Sequence, residues 1–176
     1  MSIVRTASTS EQTAFRVAFC GSMGSGKTYA SRQTQSLKDV KIYSIAQPIK
    51  EITLKMKSGG RGNNIMVGTV GRSIQENVWV DQLLGKLDGD AIVDDVRFEN
   101  EARILRENGF IIVYLDTPWH VRFGRILERC DNLSTHIQYF NDPSEVAPGQ
   151  IDPRYFDFIC KTEEEVDNII NHIVVL

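Results

Sequence analysis

The sequence predicts an α/β fold, a five-stranded parallel sheet with helices on both faces. Three observations predict it. Strand-like and helix-like segments alternate along the chain. Two of the strand segments, Ala91-Ile92-Val93 and Phe110-Ile111-Ile112-Val113-Tyr114-Leu115, are almost wholly apolar, as strands covered on both faces are. A glycine-rich turn, residues 21–28, joins the first strand to the first helix. In such a sheet the ligand lies at the carboxyl ends of the strands.

The first strand is Phe15 to Cys20 and the first helix runs from Gly26 to about Leu37. Val40 to Ile45 alternates enough to be a second strand. Ala46 to Met56 follows as helix, with Pro48 suited to its first turn and Ile49, Ile52 and Met56 at helical spacing. Ser58-Gly59-Gly60-Arg61-Gly62-Asn63-Asn64 reads as loop by composition, and a moving loop is expected over about 57–71. Arg72 to Leu87 reads as one helix with Ile74, Val78, Leu83 and Leu84 on its apolar side. Ala91 to Val93 is a strand that ends in Asp94-Asp95. Phe98 to Asn108 is a charged helix closed by Gly109. After the strand Phe110–Leu115, Pro118 to Arg129 is helical. Residues 131–153 read mostly as loop. Tyr155 to Cys160 is the last strand, and Thr162-Glu163-Glu164-Glu165 starts a last helix in capping-box fashion.

The turn Gly21-Ser22-Met23-Gly24-Ser25-Gly26-Lys27-Thr28 fits the phosphate-loop pattern G-x-x-x-x-G-K-[ST] without a mismatch. Glycines let the backbone curl so that successive N–H groups face an anion, and the helix that follows adds its dipole to the same point. Lys27 can reach the β- and γ-phosphates of ATP, and the Thr28 hydroxyl can sit on Mg²⁺. Tyr29 closes the segment expected to touch the nucleotide. A P-loop NTPase fold follows.

The chain has 176 residues, 41% hydrophobic and 24% charged, with a formal net charge of −3 and a pI near 5.6. One domain over residues 15–176 is expected, after a loosely ordered polar tail at 1–14. The acidic balance argues against a dedicated nucleic-acid binder. No apolar run reaches the length of a membrane span, and the N-terminal stretch lacks the apolar core of a secretory signal. Cys20, Cys130 and Cys160 have no metal-ligand spacing, and Cys20 and Cys160 close apolar runs as buried thiols do. A reduced cytoplasmic setting is the expectation. His120, His136 and His172 form no ligand set.

Asp94 and Asp95 end a buried strand, where P-loop proteins place a carboxylate that holds Mg²⁺ directly or through water. The chemistry does not choose between them. Arg97 lies two residues on, at the same rim, where its fork suits a phosphate; the alternative is an i,i+4 pair with Glu101. Arg122, Arg125 and Arg129 share a helix face and can converge on a transferring phosphate, or form a solvated stripe. Trp79 and Trp119 read as packing residues.

These residues resemble a family. Asp95-Val96-Arg97-Phe98-Glu99-Asn100-Glu101-Ala102 resembles the D-V-R-F-x-N-E-A signature of the tailed-phage deoxynucleoside monophosphate kinases. Ile45-Ala46-Gln47-Pro48-Ile49-Lys50 is similar to their F-A-x-P-L-K segment. Arg72-Ser73-Ile74-Gln75 with Trp79-Val80 is similar to their R-x-L-Q and W-V positions. Arg125-Ile126-Leu127-Glu128-Arg129-Cys130-Asp131 resembles a lid segment shared with dephospho-coenzyme A kinases, and Ser144-Glu145 resembles a late S-E pair. The resemblance covers residues 15–175 and implies a nucleoside monophosphate kinase-like fold with a lid over about 119–153.

It also implies phosphorylation of deoxynucleoside 5′-monophosphates by ATP with Mg²⁺, in the host cytoplasm if the gene is a phage's. Lys27 and Thr28 would act on ATP–Mg²⁺. Asp95, rather than Asp94, would serve the metal or the acceptor. Arg97 and Arg72 would meet the acceptor monophosphate, and Arg125 and Arg129 would be lid arginines. Lys50, Gln75 and Glu101 would shape the acceptor pocket. A homodimer stays open as an assembly. The rival readings are a dephospho-coenzyme A kinase-like enzyme with a hydroxyl acceptor, and a nucleotide-dependent switch.

Overall fold

The computed structural model describes residues 14–129, 139 and 141–176. The expected polar tail up to residue 13, Cys130, His136 and the lid residues 130–138 and 140 lie outside them.

Five strands form one parallel sheet: β1 (Arg16–Cys20), β2 (Ile42–Tyr43), β3 (Ala91–Val96), β4 (Ile111–Leu115) and β5 (Phe158–Cys160), in the order β2-β3-β1-β4-β5. β1 is central because its side chains suit burial on both faces. Period-2 alternation sends Val17 and Phe19 to one face and Ala18 and Cys20 to the other. On the first face α1 (Lys27–Lys38) and the C-terminal helix Glu163–Val174 bring Ala30, Val166, Ile170 and Ile173 against Val17, Phe19, Ile92 and Val113. On the second, α2 (Gln47–Lys55), α4 (Val78–Leu84) and α5 (Glu99–Glu107) bring Ile49, Trp79, Leu83 and Leu105 against Ala18, Val93 and Ile112. Cys20 and Cys160 are buried thiols, as expected.

The segment expected as a loop at 57–71 is instead mostly helix: α3 covers Arg61–Ile74. Its glycines serve packing. Trp79 Nε1 donates to the Gly68 carbonyl at 3.0 Å, and a Cβ on Gly71 would stand 2.2 Å from the Trp79 ring. Composition alone suggests a turn there, but the tertiary contact with α4 decides. The single helix expected over Arg72–Leu87 breaks at Gln75, which is extended at φ −145°, ψ 113°. Asn100 holds the break by donating to Glu76 O and Asn77 Oδ1. Ile74 therefore faces solvent rather than the core.

Three smaller expectations also change. Residues 153–155 form a 3₁₀ turn capped by Asp152, so β5 starts only at Phe158. Within 131–153, Asp142 Oδ1 accepts from the Ser144 N–H and caps a short helix, α7 (Pro143–Val146), followed by a 3₁₀ turn over Ala147–Gln150. Trp79 is buried as expected, but Trp119, at the start of α6 (Trp119–Arg129), is 65% exposed, with its ring centroid 5.6 Å from that of Phe123. The helix Glu163–Val174 is α8. Among the described residues no helix is long and apolar enough to cross a membrane.

Candidate active site

The phosphate loop sits at the carboxyl end of β1. Gly24 and Gly26 hold φ of +78° and +103°, which L side chains rarely adopt. At Gly24 a Cβ would also come within 2.7 Å of the Arg122 carbonyl. No side chain caps α1, and its first turn carries no acidic residue, so its N-terminal N–H groups are left for an anion. Ser25 Oγ is buried with no partner among the described residues. Lys27 is buried, and its Nζ donates to Gly21 O at 2.5 Å and Ser22 O at 2.9 Å. Burial first, and the positive charge of Arg97 second, bring its ammonium down to about 8. A polyphosphate entering the loop would give that ammonium a full counter-charge in place of two carbonyls.

Around the loop lies a cleft of about 730 Å³, lined among others by Lys27, Thr28, Tyr29, Lys50, Asp94, Asp95, Arg97 and Arg129. Two adjacent strand residues ordinarily point to opposite faces. Here the pairing of β1 with β3 steps from Ala18↔Val93 to Cys20↔Val96, so β3 carries one extra residue at the aspartates. That irregularity, a bulge, turns both aspartates toward the same cleft.

Their roles separate. Asp95 accepts from Ser44 Oγ at 2.6 Å, Ile45 N at 2.7 Å and Ala46 N at 3.0 Å, so both oxygens are engaged in fastening the turn between β2 and α2. Burial and the neighbouring Asp95 push Asp94 up to about 6, with Lys50 and Lys27 acting against the shift. Asp94 is thus the carboxylate with the freer oxygens.

Arg97 does not pair with Glu101 through its side chain. Its Nη1 goes to Ser144 O at 2.9 Å and to the Glu145 carboxylate. Glu101 instead accepts the N–H groups of Arg97 and Phe98 at 2.9 and 3.1 Å, which caps α5; burial pushes its carboxyl up to about 7. Glu145 is itself buried. Its carboxylate takes Arg61 Nη2 and Arg97 Nη1 on Oε1 and the Met23 N–H, 2.5 Å away, on Oε2.

A second cavity, about 190 Å³, adjoins the cleft and shares Lys50, Asp95 and Arg97 with it. Ile45, Ile49, Ile65 and Phe98 give it an apolar side, and Arg61, Arg72 and Glu101 a polar one. Arg72 lies over the Phe98 ring, 4.4 Å from its centroid. Lys50, Arg72, Asp95, Arg97 and Glu101 therefore line one cavity. Gln75 does not: it is exposed at the end of α3, outside the lining of this cavity, where its Nε2 donates to Asp81 Oδ2 at 3.2 Å.

The arginines of α6 diverge. Arg122 donates to Thr117 O and Met23 O. Arg125 reaches Gly24 O at 3.2 Å and pairs with Glu163 at 2.5 Å. Only Arg129 lines the cleft. Tyr29 lines the cleft too, but its hydroxyl donates to Asp167 on α8 at 2.9 Å. Arg61 and the carboxylate role of Glu145 escape a reading of the sequence. Arg61 sits in a run that reads as loop, and Glu145 lies 84 positions away from it.

No protein-family model matches the chain, and no curated protein sequence is significantly similar to it. Solved structures are similar in fold. A shikimate kinase from Acinetobacter baumannii in complex with shikimate superposes with a TM-score of 0.57 at 15% identity, covering 93% of this chain and 92% of that one. The fold is that of the P-loop kinases. A gluconokinase from Sinorhizobium meliloti gives a TM-score of 0.55 at 12% identity, with 92% and 90% covered. A deoxyadenosine kinase from M. mycoides, solved with the products dCMP and dCDP, gives 0.54 at 14% identity, with 90% and 98% covered.

Proposed function

We propose that the protein transfers the γ-phosphoryl group of ATP to a deoxynucleoside 5′-monophosphate, in the manner of the tailed-phage kinases its motifs resemble. The observation that carries this reading is the pair of adjoining cavities that share Lys50, Asp95 and Arg97. One surrounds the phosphate loop; the other is half apolar and meets it at Lys50 and Arg97. A base would use the apolar side formed by Ile45, Ile49 and Phe98, and its 5′-phosphate the cations. Arg97 and Arg72 supply the forks for that phosphate.

The donor side fits ATP, because α1 starts without a side-chain cap, Lys27 lines the cleft beside it and the buried Ser25 hydroxyl has no partner among the described residues. It fits Mg²⁺ as well, since Thr28 and Asp94 offer hard oxygen ligands in one cleft. When bound, the ion neutralises charge across the β- and γ-phosphates. The rest falls to the chain. Lys27 leaves its two carbonyls and pairs with the phosphates. Arg97 and Lys50 hold the acceptor oxygen in line with the transferred group. Arg129 adds positive charge where negative charge develops in the transfer. A phosphate acceptor is already anionic, so no general base is needed. That agrees with the second cavity, where Asp95 and Glu101 are both engaged in backbone hydrogen bonds.

A hydroxyl acceptor is the second reading. Asp94, pushed up to about 6, is the group that would take the proton. Incubating deoxynucleoside monophosphates and the matching nucleosides with ATP and Mg²⁺ separates the two. Diphosphates formed from the monophosphates alone support the proposal. Phosphorylated nucleosides with inert monophosphates overturn it.

A further inference from the structure

Arg61 and Arg97 come from different parts of the chain, the start of α3 and the end of β3. Their guanidinium groups nevertheless meet on one oxygen of one carboxylate, Glu145 Oε1. Two positive charges facing one negative charge leave the cluster net positive. The carboxylate is 2% exposed and lines neither cavity, so it stands behind the arginines rather than in the place of a ligand. Both arginines line the second cavity and keep several N–H groups beyond those given to Glu145. Arg61 Nε is buried with no hydrogen-bond partner among the described residues, while its guanidinium lies 5.3 Å from the Tyr139 ring centroid.

Glu145 also ties this pair to the donor side. Its Oε2 accepts the Met23 N–H of the phosphate loop at 2.5 Å, and its backbone carbonyl accepts from Ser22 Oγ at 2.8 Å. The Ser144 carbonyl takes Arg97 at 2.9 Å. One short helix, α7, therefore fixes the distance between the phosphate loop and both guanidinium groups.

We infer that Arg61 is a further phosphate-binding residue for the acceptor, beside Arg97 and Arg72, and that Glu145 is the positioning residue holding Arg61 and Arg97 as one clamp in register with the phosphate loop. The inference rests on the monophosphate-acceptor reading above. Paired forks bind a phosphate dianion by parallel charged hydrogen bonds. Their usefulness in transfer depends on the clamp keeping a fixed spacing from the donor phosphates.

The test compares Arg61→Ala, Glu145→Gln and the double variant, each first shown to be folded by thermal melting. Arg61→Ala is expected to raise the acceptor KM by about tenfold or more and to leave the ATP KM within about twofold. Glu145→Gln keeps size and shape but replaces one of the two acceptor oxygens with a donor. It is expected to raise both KM values, because it touches the loop as well as the clamp. The double variant should raise the acceptor KM by less than the product of the single effects, because Glu145 acts through Arg61 and Arg97. A Glu145 that merely packs would be replaced by glutamine with no change in either KM. If Glu145→Gln fails to fold, Glu145→Asp keeps the charge but draws the oxygens back, and is expected to raise the acceptor KM too.

An unchanged acceptor KM in Arg61→Ala overturns the role of Arg61, and unchanged KM values in folded Glu145→Gln or Glu145→Asp overturn that of Glu145. A separate arm follows the binding of inorganic phosphate by calorimetry, with the phosphate loop first saturated by a non-hydrolysable ATP analogue and Mg²⁺. Weaker phosphate binding in Arg61→Ala than in the wild type supports the clamp even if no deoxynucleoside monophosphate is turned over, which would fail the functional reading alone. Equal phosphate binding overturns the clamp even where turnover is seen.

Discussion

Asp95→Ala should unfold the protein more easily, and the size of the effect follows from three contacts. The carboxylate accepts from the Ser44 hydroxyl and the N–H groups of Ile45 and Ala46, all partly buried. Hydrogen bonds to a charged group contribute about 1.5–3 kcal/mol each when well buried. Partial exposure reduces this to about 1 kcal/mol each, because water can replace the lost acceptor. The sum is about 3 kcal/mol, which for a chain of this size lowers Tm by about 6–12 °C. Urea unfolding followed by circular dichroism measures the first figure and a thermal melt the second. Asp94→Asn is the control. Its carboxyl titrates at about 6 in place of the ordinary 3.8, so the folded protein binds the proton more tightly than the unfolded chain does. The contribution of Asp94 to wild-type stability therefore falls as pH rises from about 4 to about 6, and its penalty is complete above that. Asp94→Asn removes the penalty, so at pH 8 it should be no less stable than the wild type, while losing most of its turnover. An Asp95→Ala protein within about 0.5 kcal/mol of wild type would refute the assignment of Asp95 as the fastener of the turn.

Lys27→Ala should lower turnover by several orders of magnitude and leave the fold intact, as circular dichroism and a coupled ATP assay would show. Because the free Lys27 ammonium titrates near 8, ATP should bind progressively more weakly as pH rises above that value; equal affinity at pH 7 and pH 9.5 would contradict it. Gly71→Ala places a Cβ 2.2 Å from the Trp79 ring and should cost about 1–3 kcal/mol in urea unfolding, whereas an unchanged midpoint would mean that α3 and α4 do not pack this closely. Arg129→Ala should lower kcat more than tenfold, while Arg125→Ala should act mainly on the ATP KM, since Arg125 touches Gly24 and Glu163; a fall of more than tenfold in kcat for both would restore the idea of converging lid arginines.

Local signals were legible. The phosphate loop is a contiguous pattern whose glycines and lysine have fixed duties, and the five strands are short apolar runs in alternation with helices. The end of an apolar strand puts Asp95 and Arg97 at the rim of the cleft, but says nothing of their partners. A strand-end carboxylate looks the same in sequence whether it faces a metal or fastens a turn, and only the bulge beside it and the β2–α2 N–H groups tell the two apart. Residues spaced like Arg122, Arg125 and Arg129 share a helix face, yet long side chains leave that face in different directions. The glycine-rich run around Arg61 misled because its glycines answer to a tryptophan in the next helix, not to a turn. Gln75 carried a motif position, but the break in the chain there turned it outward. Arg61 and Glu145 meet across 84 positions, and a contact of that range leaves no local pattern.

The central claim is that a phosphate accepts the transferred group. Phosphorus NMR of the product made from ATP, Mg²⁺ and a deoxynucleoside monophosphate tests it directly. Transfer to phosphate predicts loss of the acceptor's monoester resonance and a second diphosphate pair beside that of ADP, no product from the nucleoside, and loss of the reaction in Arg97→Ala at low acceptor concentration. A new monoester resonance from the nucleoside, with the monophosphate unchanged, would contradict it.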